Sequence, residues 1–194
     1  AAADSYMAAE NTDNPLRKRD QIDRDAFFAE YERQVLAGCG VEVDIREAFA
    51  IWQHVLRIPY SMTRFDDVQF VMDQLKIQGF ILGIISNMNT AGSDLAQSLG
   101  LGSYLDFSVT SAEVGMEKPH PPIFLTALEL AGVAPYEAVH VGDQLRSDVE
   151  GARGVGITPV LIDRDGNHRD FEACPRIESL SELIDLLAEL CKPV

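Results

Sequence analysis

Cationic side chains are scarce in this sequence: 16 Lys and Arg stand against 31 Asp and Glu, a formal charge of −15 over 194 residues. A surface of that sign repels phosphate backbones and anionic lipid, and no basic cluster exceeds Arg17-Lys18-Arg19, so neither nucleic acid nor a membrane is expected as a partner. Cysteine is scarce too. Cys39, Cys174 and Cys191 are odd in number and lack a C-x-x-C spacing, which excludes a disulfide framework and gives no zinc signature; a reduced, cytoplasmic protein is expected. No apolar run approaches the roughly 18 residues of a membrane span, and residues 1–20 carry no basic stretch followed by an apolar one, as an export signal would. Internal repeats and low-complexity tracts are absent as well. What remains is a mixed alphabet, 46% hydrophobic and 24% charged, able to build one α/β domain or a small core with a subdomain. The chain opens Ala1-Ala2-Ala3-Asp4, and its first methionine is Met7.

Periodicity divides the chain. Residues 1–20 are polar without a sustained period and read as a loose lead-in. From Asp25, the spacing of Phe27, Tyr31 and Val35 predicts a helix that Gly38 and Gly40 stop. Asp44 with Glu47 has the spacing of a capping box, opening a second helix with Ile45, Phe49, Trp52 and Leu56 on one face before Pro59. Residues 21–62 thus form an all-helical piece. From residue 63 to residue 194, helices alternate with short apolar runs, the pattern of a parallel sheet covered on both faces. Val68, Val71, Met72 and Leu75 predict a helix ended by Gly79. Phe80–Ile85, Phe107–Thr110, Ala138–Val141 and Ile157–Ile162 predict strands. Between and after them, helices are expected over Asp94–Leu99, from Pro121-Pro122 to Gly132, over Ser147–Arg153, and behind Ser179 and Glu182.

In an open parallel sheet, ligands bind outside the carboxyl ends of the strands, so polar residues directly after apolar runs are weighed first. Three clusters qualify. Ser86-Asn87 follows one strand, Glu117-Lys118-Pro119 precedes a helix, and Gly142-Asp143-Gln144-Leu145-Arg146-Ser147-Asp148 follows another strand. Together they supply a hydroxyl, backbone N–H groups, one cation and two carboxylates. That inventory can hold a phosphoryl group beside a magnesium ion: donors for its oxygens, Lys⁺ for its charge, hard oxygen ligands for the metal. Each residue also has an ordinary structural reading. Ser86 can be a turn residue, Lys118 a solvated lysine, Asp143 a helix cap and Asp148 a first-turn acid facing a helix dipole. The order of the three clusters, each at the end of its own element, favours the functional reading.

That ordered trio resembles the haloacid dehalogenase-like hydrolase superfamily, in its subgroup with a helical cap inserted before the second motif. Ile84-Ile85-Ser86-Asn87 is similar to the second motif, Gly115–Pro121 to the third and Val141–Ala152 to the fourth. The resemblance implies a Rossmann-like core with a parallel sheet and, over residues 21–62, a partial helical cap. It implies that Ser86 and Asn87 bind phosphoryl oxygens and that Lys118 neutralises charge on the nucleophile and the phosphoryl group. It further implies that Asp143 ligates Mg²⁺ and that Asp148 ligates it directly or through water. His120 stands where relatives often carry Asp and reads as a turn residue. The G-D-x4-D spacing resembles the magnesium-dependent phosphatases, so a small phosphorylated metabolite is the expected substrate; a 2-haloacid dehalogenase is the minor alternative.

One expected element is missing. The family's first motif, an apolar strand ending in Asp-x-Asp-Gly-Thr, supplies the nucleophile that forms an aspartyl-phosphate and the general acid. Nothing upstream of the helical piece matches: Asp4 follows only three alanines, and Asp13 and Asp23-Arg24-Asp25 follow polar residues. Val160-Leu161-Ile162-Asp163-Arg164-Asp165-Gly166 matches locally, but it lies after the fourth motif, where Asp163 and Asp165 read as turn formers. The expectation is therefore a core, residues 63–194, without its first strand. Either the sequence is an N-terminally truncated phosphatase, the favoured reading, or it is a product that kept the phosphate frame as a binding or interaction protein. In the resembled fold the missing strand lies between those ending at Ser86 and Asp143, which would leave two unpaired edges.

Overall fold

A computed structural model describes residues 19–59 and 61–190 together with Ala2, Ala3, Tyr6, Met7 and Leu16. Most of the expected lead-in, with Asp4, Asp13, Arg17, Lys18 and Cys191, lies outside the described residues. The chain divides into two compact units, Ala1–Ser61 and Met62–Val194.

The first unit includes the helices α1 (Gln21–Gly38) and α2 (Ile45–Val55). Asp20 caps α1 by accepting from Asp23 N, which starts the helix earlier than its apolar period does. Asp44 accepts from Arg46 N and Glu47 N while Glu47 accepts from Asp44 N, the capping box expected from the sequence. The two helices meet through a stacked pair, Phe28 on Trp52, with ring centroids 4.4 Å apart. Phe27 is buried beside them, edge-on to Phe28.

The second unit runs α3 (Asp67–Ile77), β1 (Gly83–Ser86), α4 (Gly92–Ser98), β2 (Phe107–Thr110), α5 (Ser111–Val114), α6 (Pro121–Ala131), β3 (Val139–Gly142), a π-helical turn (Leu145–Glu150), α7 (Gly151–Gly154), β4 (Thr158–Ile162), β5 (Arg176–Ile177) and α8 (Glu182–Leu190). All its strand pairs are parallel, as an α/β alternation requires. Helix ends follow the residue chemistry: Gly79 and Gly132 adopt φ of 83° and 66° just past α3 and α6, where an L side chain would be strained. Pro121 opens α6 at a position whose N–H has no helical partner to lose, with exposed His120 as its cap residue.

Among the described residues the strands form two sheets, β1-β2 and β3-β4-β5, so β1 and β3 are each an edge. Two apolar clusters lie on opposite faces, as strand alternation dictates. Ile85 and Val109 join Ile123, Phe124 and Ala127 of α6 and Ala152 of α7. Leu82, Val139, Val141 and Val160 instead join Val71 and Leu75 of α3 and Leu183 and Leu187 of α8. The strand residues of the first cluster come from β1 and β2 and those of the second from β3, β4 and β5, while Ala138, just before β3, packs on the first cluster and Leu82, just before β1, on the second, so the segments leading into the edge strands tie the two sheets to shared helical layers.

Three details differ from the sequence reading. The strand expected from Phe80 begins at Gly83, because the preceding Leu82 N donates to the Asp106 carboxylate at 2.8 Å rather than to a neighbouring strand. The helix expected over Ser147–Arg153 starts as a π-helical turn at Leu145. The two-residue strand β5 was too short to leave a period in the sequence.

Candidate active site

Lys118, Asp148 and His140 form the centre of the site. Lys118 Nζ donates to Asp148 Oδ1 at 2.6 Å and to the main-chain carbonyl of Ile85, in β1, at 3.2 Å. His140 Nε2 lies 3.0 Å from the same Asp148 oxygen, and Gln144 N donates to Asp148 Oδ2 at 3.0 Å. The side chains of Lys118, His140 and Asp148 are 13%, 11% and 5% exposed. Burial on its own would raise the Asp148 pKa. The His140 hydrogen bond and the Lys118 charge outweigh it and bring the carboxyl down to about 2, so Asp148 is a carboxylate at neutral pH.

The backbone explains how Asp148 reaches this point. Gln144 O accepts from both Asp148 N and Val149 N, the widened turn of a π-helix. That turn folds Asp148 back under Gly142, at the end of β3. A Cβ on Gly142 would sit 2.2 Å from Asp148 Cγ, so only glycine lets the carboxylate lie there. His140 is held edge-on against Phe124, with ring centroids 5.3 Å apart.

Asn87 is committed to holding Lys118. Its Nδ2 donates to Lys118 O at 3.0 Å and its Oδ1 accepts from Lys118 N at 2.7 Å. The first and second clusters of the sequence reading are thereby joined side chain to main chain. Ser86 ends β1, half-buried, and Asp143 follows β3, exposed. Neither side chain has a hydrogen-bond partner among the described residues. The structure thus brings Asn87, Lys118 and Asp148 into direct contact and sets Ser86 and Asp143 at the carboxyl ends of the two edge strands.

Asp163 is part of a different construction. Its oxygens accept from Asn167 N at 2.8 Å, His168 N at 2.9 Å and Arg176 Nη1 at 2.9 Å. Burial would raise its pKa, but those two backbone donors and Arg176 leave it lowered. With its carboxylate spent on closing the turn after β4, it has no geometry for attack on a substrate. Neighbouring Arg164 makes a two-pronged pair with Asp67 at 2.8 and 3.0 Å and stacks on Phe65 at 4.0 Å. Arg164, with Ser179 Oγ and Leu180 N as further donors, brings the Asp67 pKa down to about 2.

Two residues of the candidate site escape the sequence reading. His140 left only a faint signal, one polar side chain inside the apolar run Ala138–Val141. Gly142 entered only as the first residue of the third polar cluster, and its closeness to Asp148 needed coordinates.

Among the described residues no group of three or more His, Cys, Asp or Glu side chains gathers as a metal site. Mg²⁺ does not demand one, because it usually keeps several waters and takes one or two carboxylates plus substrate phosphate oxygens. Exposed Asp143 fits that donor set. Asp148 fits it less well as a direct ligand, since three donors already occupy its two oxygens.

A parallel α/β core with a lysine–carboxylate pair at the strand ends defines a hydrolase of the haloacid dehalogenase-like class. The profile of the haloacid dehalogenase-like hydrolase family matches residues 6–162, and the chain belongs to that family. It is 34% identical over 169 residues to the glyceraldehyde 3-phosphate phosphatase of Methanopyrus kandleri, covering 80% of this chain and 69% of that protein. It is 33% identical over 151 residues to the ribulose-1,5-bisphosphate 5-phosphatase of Halopiger xanaduensis, covering 72% of this chain and 62% of that protein. Among solved structures it resembles a HAD phosphatase from Thermococcus onnurineus, with a TM-score of 0.61, 27% identity and coverage of 95% of this chain and 78% of that one. No helix among the described residues is long and apolar enough to cross a membrane.

Proposed function

We propose that residues 63–194 are the phosphate-binding core of a magnesium-dependent phosphatase of small phosphomonoesters in the cytoplasm, with residues 21–62 as part of its helical cap. The observation that carries this reading is the double engagement of Lys118, whose ammonium is bonded to both Ile85 O and Asp148 while its backbone is clamped by Asn87. A cation fixed by four bonds at the strand ends is preorganised to receive phosphoryl oxygens, which costs little reorganisation on binding. Ser86 Oγ and backbone N–H groups at the end of β1 would add donors. Asp143 would hold Mg²⁺, and Asp148 would act chiefly by fixing Lys118, reaching the metal through water. The ion would supply charge neutralisation for the phosphoryl group. The names of the two curated relatives support a phosphate ester over a haloacid as the substrate class.

The aspartyl-phosphate chemistry needs a free carboxylate nucleophile; among the described residues the Asp side chains at the strand ends are Asp143, read here as the metal ligand, Asp148, held by Lys118 and His140, and Asp163, held by its turn and Arg176. This chain is therefore expected to bind phosphate with Mg²⁺ but to give no turnover of an aryl phosphate. Titration of the chain with inorganic phosphate, followed by ³¹P NMR with and without Mg²⁺, tests the binding. Expected is Mg²⁺-dependent binding that Asp143→Asn abolishes; binding indifferent to both Mg²⁺ and Asp143→Asn, or none at all, would overturn the proposal. Turnover at an enzyme's rate, abolished by Asp163→Asn, would return the nucleophile role to Asp163.

A further inference from the structure

Residues 87–91 connect β1 to α4, and α4 opens without a cap of its own: its N-cap residue is Ala91, which has no side-chain acceptor. The missing acceptor comes from another helix. Glu113, in α5, accepts from Thr110 N and Thr110 Oγ1, each at 3.0 Å, and its carboxylate also takes the N–H of Gly92, the first residue of α4. Desolvation alone would raise the Glu113 pKa; the Gly92 and Thr110 donors outweigh it and leave it lowered. The approach is close because Gly92 is buried against β2, where a Cβ would stand 2.8 Å from Ser108 O.

The same helix grips the connection a second time. Met88 O accepts from Ser111 Oγ and Ala112 N, both at 3.2 Å, and Ser111 is buried. Asn87, one residue earlier, is fixed by the Lys118 backbone. Helix α5 therefore stands between two parts of the candidate site. It holds residues 88 and 92 behind Ser86, and Gly115, at φ 77°, ends it and turns the chain towards Lys118. A capping box needs only the bond between Glu113 and Thr110 N to close α5. The bond to Gly92 lies outside that helix and fixes where the connection ends. Among the described residues Glu113 bonds to neither Ser86 nor Lys118, so its effect on a ligand there passes through the connection.

We propose that Glu113 is a positioning residue of the phosphate site: by holding Gly92, while Ser111 and Ala112 hold Met88, it keeps residues 86–92 in the shape that presents Ser86 and the backbone N–H groups after β1 to a phosphoryl group. This role rests on the phosphate reading above. Its test compares the full chain with Glu113→Ala and with Glu182→Ala. Glu182 accepts from Glu178 N and Ser179 N at the start of α8, on the other apolar cluster, so its loss strips a capping carboxylate from the same unit without touching the connection. Inorganic phosphate is titrated into each protein with Mg²⁺ and followed by ³¹P NMR, with hydrogen exchange of the Gly92 amide and the urea midpoint measured alongside. Both variants are expected to lower the urea midpoint. Only Glu113→Ala is expected to speed exchange at Gly92 and to weaken phosphate binding, by about tenfold, the scale of one lost hydrogen bond. Phosphate binding unchanged in Glu113→Ala, or weakened equally in both variants, would show a helix cap and no more and overturn the proposal, as would unchanged exchange at Gly92. Absence of phosphate binding by the wild-type chain is a separate result, which would refute the phosphate reading and this role with it.

Discussion

Asp148→Asn is the sharpest test of the site's construction, because the wild-type carboxylate serves three donors and the amide cannot. Asn offers one acceptor oxygen, so whichever way it turns, its NH₂ faces either Gln144 N or the Lys118 Nζ and His140 pair. It also leaves the Lys118 ammonium, 13% exposed, without a counter-charge. The lowering of the Asp148 pKa from 3.8 to about 2 gives a lower bound of about 2 kcal/mol for the interactions that favour its ionised form. Breaking a buried ion pair by removing one partner typically costs about 3–5 kcal/mol. The expected loss is thus about 3 kcal/mol, or a fall in Tm of roughly 6–12 °C for a chain of this size. Lys118→Met should cost a similar amount. The double variant Asp148→Leu with Lys118→Met should recover much of the loss, because it leaves no charge buried, giving a coupling energy of about 2 kcal/mol or more. Urea unfolding followed by far-UV circular dichroism at pH 7 measures all corners of the cycle. Single losses below about 1 kcal/mol with no coupling would mean that the pair behaves like an exposed salt bridge, and the account of Lys118 as a fixed, buried cation would fail.

Two further predictions rest on the same geometry. Gly142→Ala should destabilise by about 1–3 kcal/mol in the same unfolding assay, since its Cβ would meet both the Cβ and the carboxylate of Asp148, and it should cost clearly less in an Asp148→Gly background, which removes both; equal costs in both would refute the clash. Asp148 and Asp67 both have folded pKa values lowered to about 2, so their contribution is complete above about pH 4 and is lost as the pH falls towards 2. The urea midpoint should therefore drop between pH 5 and pH 3 by the equivalent of about 2 kcal/mol for the two groups together, and an unchanged midpoint would contradict the sign.

The parts of this protein legible in its sequence were those fixed by local chemistry. Asp44 and Glu47 announce a capping box because both partners lie within one turn. Gly79 and Gly132 announce helix ends because only glycine takes their φ cheaply. The strand Phe107–Thr110 was legible to the residue, and the order of three polar clusters pointed to the segments where Asn87, Lys118 and Asp148 meet. Long-range commitments were not legible. The Asp67–Arg164 pair joins residues 97 apart in sequence, and neither residue carries a local signal of it. Asn87 was read as a phosphate donor, yet both polar atoms of its side chain are engaged by the Lys118 backbone, a use that depends on how two loops meet. The π-helical turn at Leu145–Glu150 was read as an ordinary helix because the apolar period hardly distinguishes i+4 from i+5 bonding over six residues.

The same ammonium links the chemistry of the site to the integrity of the sheet. Lys118 Nζ bonds to Ile85 O on β1 and to Asp148, which packs beneath Gly142 of β3, so one side chain spans the ends of two sheets that share no strand pairing. Its position is therefore set by the separation of those ends as much as by its own loop. If the sheets draw apart by even an ångström, one of the two bonds, at 3.2 and 2.6 Å, leaves hydrogen-bonding range, and the weaker carbonyl bond goes first. Lys118 then follows Asp148, because a charge-assisted bond to a buried carboxylate outlasts one to a neutral carbonyl. A phosphoryl group seated at Ser86 would in that case lose its cation to the β3 side. If phosphate binds at the proposed site, the distance between β1 and β3 is thus a condition for that binding as well as for stability.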